Sequence, residues 1–147
     1  MTALLLKRRN KKRPLAKLAA IISGRDFAFE TTLSGRSYVP FLRLAKQKGY
    51  TIQLYFLWLP KVEISIERVA ERVRMGGHNI PEETIRRRFD AGVRNLFRLY
   101  MPLADQTKII DNSRGEPRLV ATSSSGILSI QNELTFALIA AAGGVGP

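Results

Sequence analysis

Between Ile66 and Tyr100 apolar residues recur at helical spacing in two runs with one interruption. Ile66, Val69 and Val73 form the first seam, and Gly76–Gly77 end it. Ile85, Phe89, Val93, Leu96 and Tyr100 form a second, longer stripe. Pro81 suits the first position of that second helix, where its missing N–H costs nothing. Glu82 and Glu83 then fall in the first turn, at the positive end of the helix dipole. At roughly 100° per residue, Arg88 and Asn95 lie on one flank of the stripe, while Arg87, Arg94 and Arg98 face away.

Elsewhere the pattern alternates between strand and helix. Lys17 to Ile22 has helical character, with Leu15, Leu18, Ala19 and Ile22 on one side. Phe27 to Glu30 reads as a short buried strand that delivers Glu30 at its carboxyl end, followed by a polar loop through Thr31 and Thr32. Ser37 is an expected N-cap for a helix presenting Val39, Leu42 and Leu44–Ala45 and stopping at Gly49. TIQLYFLWL is the strongest strand signal, aromatic, branched and nearly continuous in apolarity, and Pro60 ends it. TKIIDNS is a short strand with Asp111 and Asn112 at its carboxyl end. PRLVATSSSGILSIQ predicts two strands around a Ser/Gly turn, and ELTFALIAA a last helix.

This order predicts an α/β fold, a three-layer αβα arrangement around a mostly parallel sheet. Right-handed crossovers would put the strand carboxyl ends on one edge, where open α/β sheets bind ligands. Glu30 with its threonines, Asp111–Asn112 and the arginine helix would then share one crevice.

Charge sharpens that picture. The chain carries 24 Lys+Arg against 12 Asp+Glu over 147 residues, a net +12 that favours polyanionic partners. Guanidiniums beside a glycine hinge suit a segment that closes over an anion, since Arg recognises phosphate bidentately. An ordinary solvated basic helix is the plainer reading. Residues 7–13, KRRNKKR, mark residues 1–14 as a basic tail, either solvated or an arm for an anionic surface. The tail has no interleaved aromatics, as single-strand nucleic-acid binders would want, so nucleic acid is not the expected partner.

Cysteine is absent and His78 is the one histidine, so disulfides, thiolate metal sites and His-cluster metal sites are excluded. His78 is then a turn residue or a catalytic base. Glu30 could equally serve as a loop acceptor, and Asp111 and Asn112 could simply terminate their strand. No stretch is long enough to span a bilayer. MTALLL precedes the basic run, the wrong order for a signal peptide, so a cytoplasmic location is expected.

FAFETTLSGRSY, AKQKGYTIQLYFLWL, RVAERVRMGGHNIPEETIRRRF and PLADQTKIIDNS together resemble the zeta-toxin-like family of P-loop kinases, over roughly Leu15 to Leu119. The resemblance implies a kinase-like fold and an ATP- and Mg2+-dependent phosphotransferase acting on UDP-N-acetylglucosamine or a similar nucleotide sugar, restrained by an antitoxin partner. It implies that Glu30 contacts the sugar nucleotide, with Thr31 and Thr32 in the adjoining loop. Arg72, and Arg87 or Arg88, match arginines that neutralise the transferred phosphate. The helical geometry above favours Arg88.

One departure is large. No G-x-x-x-x-G-K-[ST] occurs in this sequence, and the late cluster GGVGP has no lysine. The family's upstream general-base aspartate has no counterpart either. Residues 15–147 therefore read as a partial kinase domain without its N-terminal P-loop strand, whose neighbours would be left with open edges. Such a chain is expected to be inactive alone, poorly stable, and oligomeric or dependent on a partner such as a complementing N-terminal fragment. A non-catalytic nucleotide-binding module ranks second, and a basic nucleic-acid-binding protein third.

Overall fold

The computed structural model describes residues 2–5, 24–113 and 115–145. The helix expected at Lys17–Ile22 and the basic run 7–13 lie outside them. The elements are β1 (Thr2–Leu5), β2 (Phe29–Thr31), α1 (Tyr38–Gln47), β3 (Gln53–Trp58), α2 (Val62–Arg74), α3 (Glu82–Asn95), β4 (Gln106–Asp111), β5 (Arg118–Ser124), β6 (Ile127–Ile130) and α4 (Glu133–Gly143). A π-helical turn, Leu96–Tyr100, and a 3-10 turn, Met101–Leu103, carry α3 towards β4.

The strands form one sheet in the order β2-β1-β3-β4-β5-β6. β3 and β4 pair in parallel, Leu54 opposite Thr107 and Phe56 opposite Ile109. β1 is antiparallel to both β2 and β3, so those two point the same way. β5 and β6 close the far side as an antiparallel hairpin. Thus β2, β3, β4 and β6 share one direction, and the sheet is mixed. The architecture is the α/β, kinase-like one, with carboxyl ends of β2, β3 and β4 on one edge.

The open edges expected beside the absent P-loop strand are not there. Thr2–Leu5 fills the gap between β2 and β3, running against both. Buried backbone N–H and C=O groups must be paired, and an uncharged apolar tetrapeptide can do this in either direction.

Alternation in β3 buries Leu54, Phe56 and Trp58, and a single core joins them to Leu42 and Ala45 of α1, Val93 of α3, Leu96, Tyr100, Ile109 of β4 and Ile139 of α4. Around β2 the core is aromatic: Phe27 meets Phe41 edge-on at 5.6 Å, and Phe29 lies 4.8 Å from Tyr38. On the opposite face of the sheet, Lys108 Nζ sits over the Tyr55 ring at 5.5 Å.

Chain punctuation follows local chemistry, with small departures. Gly49 and Gly76 adopt positive φ just beyond α1 and α2. Pro81 is the N-cap, one residue before the position expected for it. Ser37 occupies the α1 N-cap but makes no side-chain cap bond. Asn132 does cap α4, accepting from Thr135 N at 3.0 Å. Ser125 and Gly126, both at positive φ, form the tight hairpin turn. Among the described residues no helix is long and apolar enough to cross a membrane.

Asp105 ties the start of β3 to the start of β4. Its carboxylate accepts from Ile52 N at 2.8 Å and pairs with Lys46 Nζ at 2.9 Å. Burial alone would raise its pKa, but the Ile52 N–H and the Lys46 ammonium outweigh that and hold it below the ordinary value. A depressed carboxylate stabilises the fold above its unfolded pKa of about 3.9, and that contribution disappears as pH falls through the folded value. Asp105→Asn should cost about 1 kcal/mol at pH 7, the pair being partly exposed. Urea unfolding at pH 7 and pH 3 checks this: the difference between wild type and variant should shrink at the lower pH.

Candidate functional site

The loop after β2 is built around a strained residue. Leu33 is fully buried yet sits at φ 54, a left-handed conformation that costs a β-carbon-bearing residue energy. Thr31 Oγ1 accepts from Leu33 N at 3.2 Å, and the Thr32 and Ser34 hydroxyls are 2.8 Å apart. Three residues of the long helix hold the loop in place. Asn95 Nδ2 donates to Leu33 O at 2.8 Å, Tyr100 Oη donates to Gly35 O, and Gly92 lies flush against Thr32 O. A β-carbon at Gly92 would come within 2.6 Å of that carbonyl. Tyr100 is buried, which raises its pKa, with Tyr38 adding to the effect, so it remains a phenol and a donor at neutral pH.

Above this loop lies a cavity of about 200 Å3 at the carboxyl end of β3. Phe56, Trp58 and Leu59 form its floor, and Thr32 borders it from the β2 side. Ser65, Arg68, Val69 and Arg72 come from α2, Ile80 from the connecting loop, and Ile85, Arg88, Phe89, Gly92 and Val93 from α3. Apolar walls with three guanidiniums strengthen electrostatic attraction to an anion, because the walls lower the local dielectric.

Two of those arginines are aimed by backbone carbonyls. Arg68 Nη2 donates to Asn112 O at 2.8 Å, and Arg72 Nη2 reaches His78 O at 3.5 Å. Gly77 makes the second possible, since a β-carbon there would collide with the Arg72 carbonyl at 2.8 Å. Arg86 of α3 reaches the first turn of α2, binding Glu63 Oε1 at 3.0 Å, and is held within its own helix by Glu82 Oε1 at 2.7 Å. Backbone hydrogen bonding and the Arg86 guanidinium hold the Glu63 carboxyl below its usual range, and Glu82 and Glu63 raise Arg86.

Of the residues singled out in the sequence, Thr32, Arg72 and Arg88 line this one cavity. Arg87 is exposed and outside its wall. Glu30 is an exposed residue of β2 opposite Ala3, and Thr31 supports Leu33; neither lines the cavity. His78 is exposed and offers its carbonyl to Arg72. Asp111 Oδ1 accepts from Ser113 N at 2.9 Å, and Asn112 bonds through its backbone to Trp58 O at 2.9 Å and to Arg68. Arg68 is the residue the sequence reading passed over. Its i,i+4 relation to Arg72, which puts both on one helix face, was the available signal.

Fold and site together define an α/β domain in which a helical arm covers a strand-end pocket lined by three arginines. The sequence profile of the family described as Zeta toxin matches residues 16–123, and the chain belongs to that family. A protein of Haemophilus influenzae (strain ATCC 51907 / DSM 11121 / KW20 / Rd), described only as "Uncharacterized protein", is 36% identical over 63 residues. That stretch covers 43% of this chain and 45% of the relative, so the match spans less than half of either. No solved structure matches the chain.

Gly92→Ala tests the coupling of helix and loop. Alanine gains about 1 kcal/mol in helix propensity, but a backbone carbonyl cannot yield as a side chain can, and overpacking costs about 1–3 kcal/mol. A net loss on the order of 1 kcal/mol in denaturant unfolding is expected. Tyr100→Phe, which orphans Gly35 O, should cost a similar amount.

Proposed function

We propose that this chain is the lid-and-substrate half of a zeta-toxin-type ATP-dependent phosphotransferase, binding a nucleotide or nucleotide sugar through its phosphates and transferring no phosphate by itself. One observation carries the reading: Arg68, Arg72 and Arg88 converge with Thr32 on a single pocket at the strand carboxyl ends. Phosphoryl transfer depends on positioning and on neutralising charge over the phosphate oxygens, and converging guanidiniums supply the second. The apolar floor at Phe56 and Trp58 suits the uncharged part of such a ligand.

The residues present fit a phosphate group but not a complete Mg2+-ATP. Magnesium is commonly held by one or two carboxylates together with nucleotide phosphates that a loop presents. The sequence contains no phosphate-binding G-x-x-x-x-G-K-[ST]. Asp111, the carboxylate at the strand end, already turns one oxygen to Ser113 N. The chain's own residues therefore supply phosphate binding and charge, not the presentation of an ATP phosphate. A partner segment carrying the loop would have to pair between β2 and β3, where two like-directed strands flank the four residues of β1.

Isothermal titration with UDP-N-acetylglucosamine, and separately with ATP, tests this. The sugar nucleotide should bind, and Arg72→Ala and Arg88→Ala should each weaken it about 10-fold or more, the usual worth of a charge-assisted hydrogen bond. No phosphorylated product should accumulate with ATP and Mg2+. Absence of binding would reject the pocket assignment, and turnover by the chain alone would reject the claim of inactivity.

A further inference from the structure

Helix α4 is apolar on more sides than its fold uses. One side, with Phe136, Ile139 and Gly143, packs inward, Phe136 meeting Phe97 edge-on at 6.2 Å. The other side leaves Leu134 77% and Leu138 55% exposed, and Val145, just beyond the left-handed C-cap Gly144, is 41% exposed. Leu134 and Leu138 are one turn apart on the helix, and a helix apolar all round is ordinarily buried all round. The adjacent strand β6 is the edge of the sheet, and it too is apolar and open, with Ile127 75%, Leu128 42% and Ile130 41% exposed. Ile130 stands opposite Ala121, a core residue, so Ile130 and Leu128 are on the face of the sheet that α4 covers.

Sheet edges of soluble proteins are normally protected by charge, proline or a bulge. β6 has none of these. Leu134 and Leu138 of α4 share one face with Leu128 and Ile130 of β6, a patch on the order of a few hundred Å2, and backbone pairing along the β6 edge would add the rest of the ~800 Å2 per partner of a standard interface.

We propose that β6 and α4 form the two-fold interface of a homodimer, β6 pairing antiparallel with β6 of a second copy and α4 packing against its symmetry mate. Charge points to a second copy. All 24 lysines and arginines lie at or before Arg118, and from Leu119 to Pro147 the only charged residue is Glu133. A net charge of +12 works against association through the basic surfaces, and this segment adds almost no charge of its own to a contact. An isologous contact also needs a self-complementary surface, which an uncharged antiparallel edge provides.

The test is the molar mass of the whole chain by light scattering across micromolar concentrations and from low to high salt. The expected mass is twice the 16.5 kDa of one chain, with association unchanged or tightened by salt, since salt screens like charge. Leu138→Lys and Ile127→Lys should each give a monomer with an unaltered far-UV spectrum. Both side chains are exposed, and if one variant fails to fold the other still decides. A monomeric wild type at every concentration, a dimer that salt dissociates, or a lysine variant that stays dimeric would each overturn the proposal. So would a wild-type monomer that binds a different protein through this face.

Discussion

The arrangement depends on the grip of the long helix on the loop after β2. Leu33 holds a backbone conformation that is unfavourable for leucine, and it persists because its surroundings over-determine it. The leucine is fully buried, its carbonyl is taken by Asn95, the carbonyl two residues on by Tyr100, and the one before it lies against Gly92. Each bond alone is worth about 1 kcal/mol net, comparable to the local strain. Together they fix Thr32 at the mouth of the cavity. The π-helical turn Leu96–Tyr100 belongs to the same device, because an extra residue in the turn re-aims the side chains that follow it.

That grip also sets where the arginines stand. With α3 clamped to the loop, Arg88 is carried to the cavity, and α2 is tied to α3 through the Arg86 pair with Glu63. Arg68 and Arg72 are then oriented by carbonyls and not by carboxylates. The difference matters for binding. A guanidinium neutralised by a carboxylate has to break that pair to bind an anion, whereas a carbonyl orients it and leaves its charge in place.

Local pattern made much of this legible. The helical seams from Ile66 to Tyr100, the glycine break, the strand TIQLYFLWL and the Ser/Gly hairpin are all decided within a few residues, and each is found close to its predicted place. Angular position alone put Arg88 and Asn95 on the working flank of the stripe. Long-range relations were not legible. Thr2–Leu5 joins the sheet only because β2 and β3 leave a strand-wide gap, a fact that no property of TALL encodes. Asp111 and Asn112 stand at a strand end as expected, but the partners they take there, Ser113 N, Trp58 O and Arg68, are set by the fold and not by their own sequence. The left-handed Leu33 carries no sequence signal either, since leucine is not a residue that favours positive φ.

The chain's single tryptophan, Trp58, lies in the cavity floor and is 7% exposed, so its emission reports directly on what enters. The most direct measurement of the central claim is Trp58 fluorescence during titration with UDP-N-acetylglucosamine, in the wild-type chain and in Arg68→Ala. A saturable change in emission in the wild type, shifted to at least about 10-fold higher ligand concentration in the variant, is the predicted result. Emission that does not respond while calorimetry registers binding would place the ligand elsewhere and contradict the account.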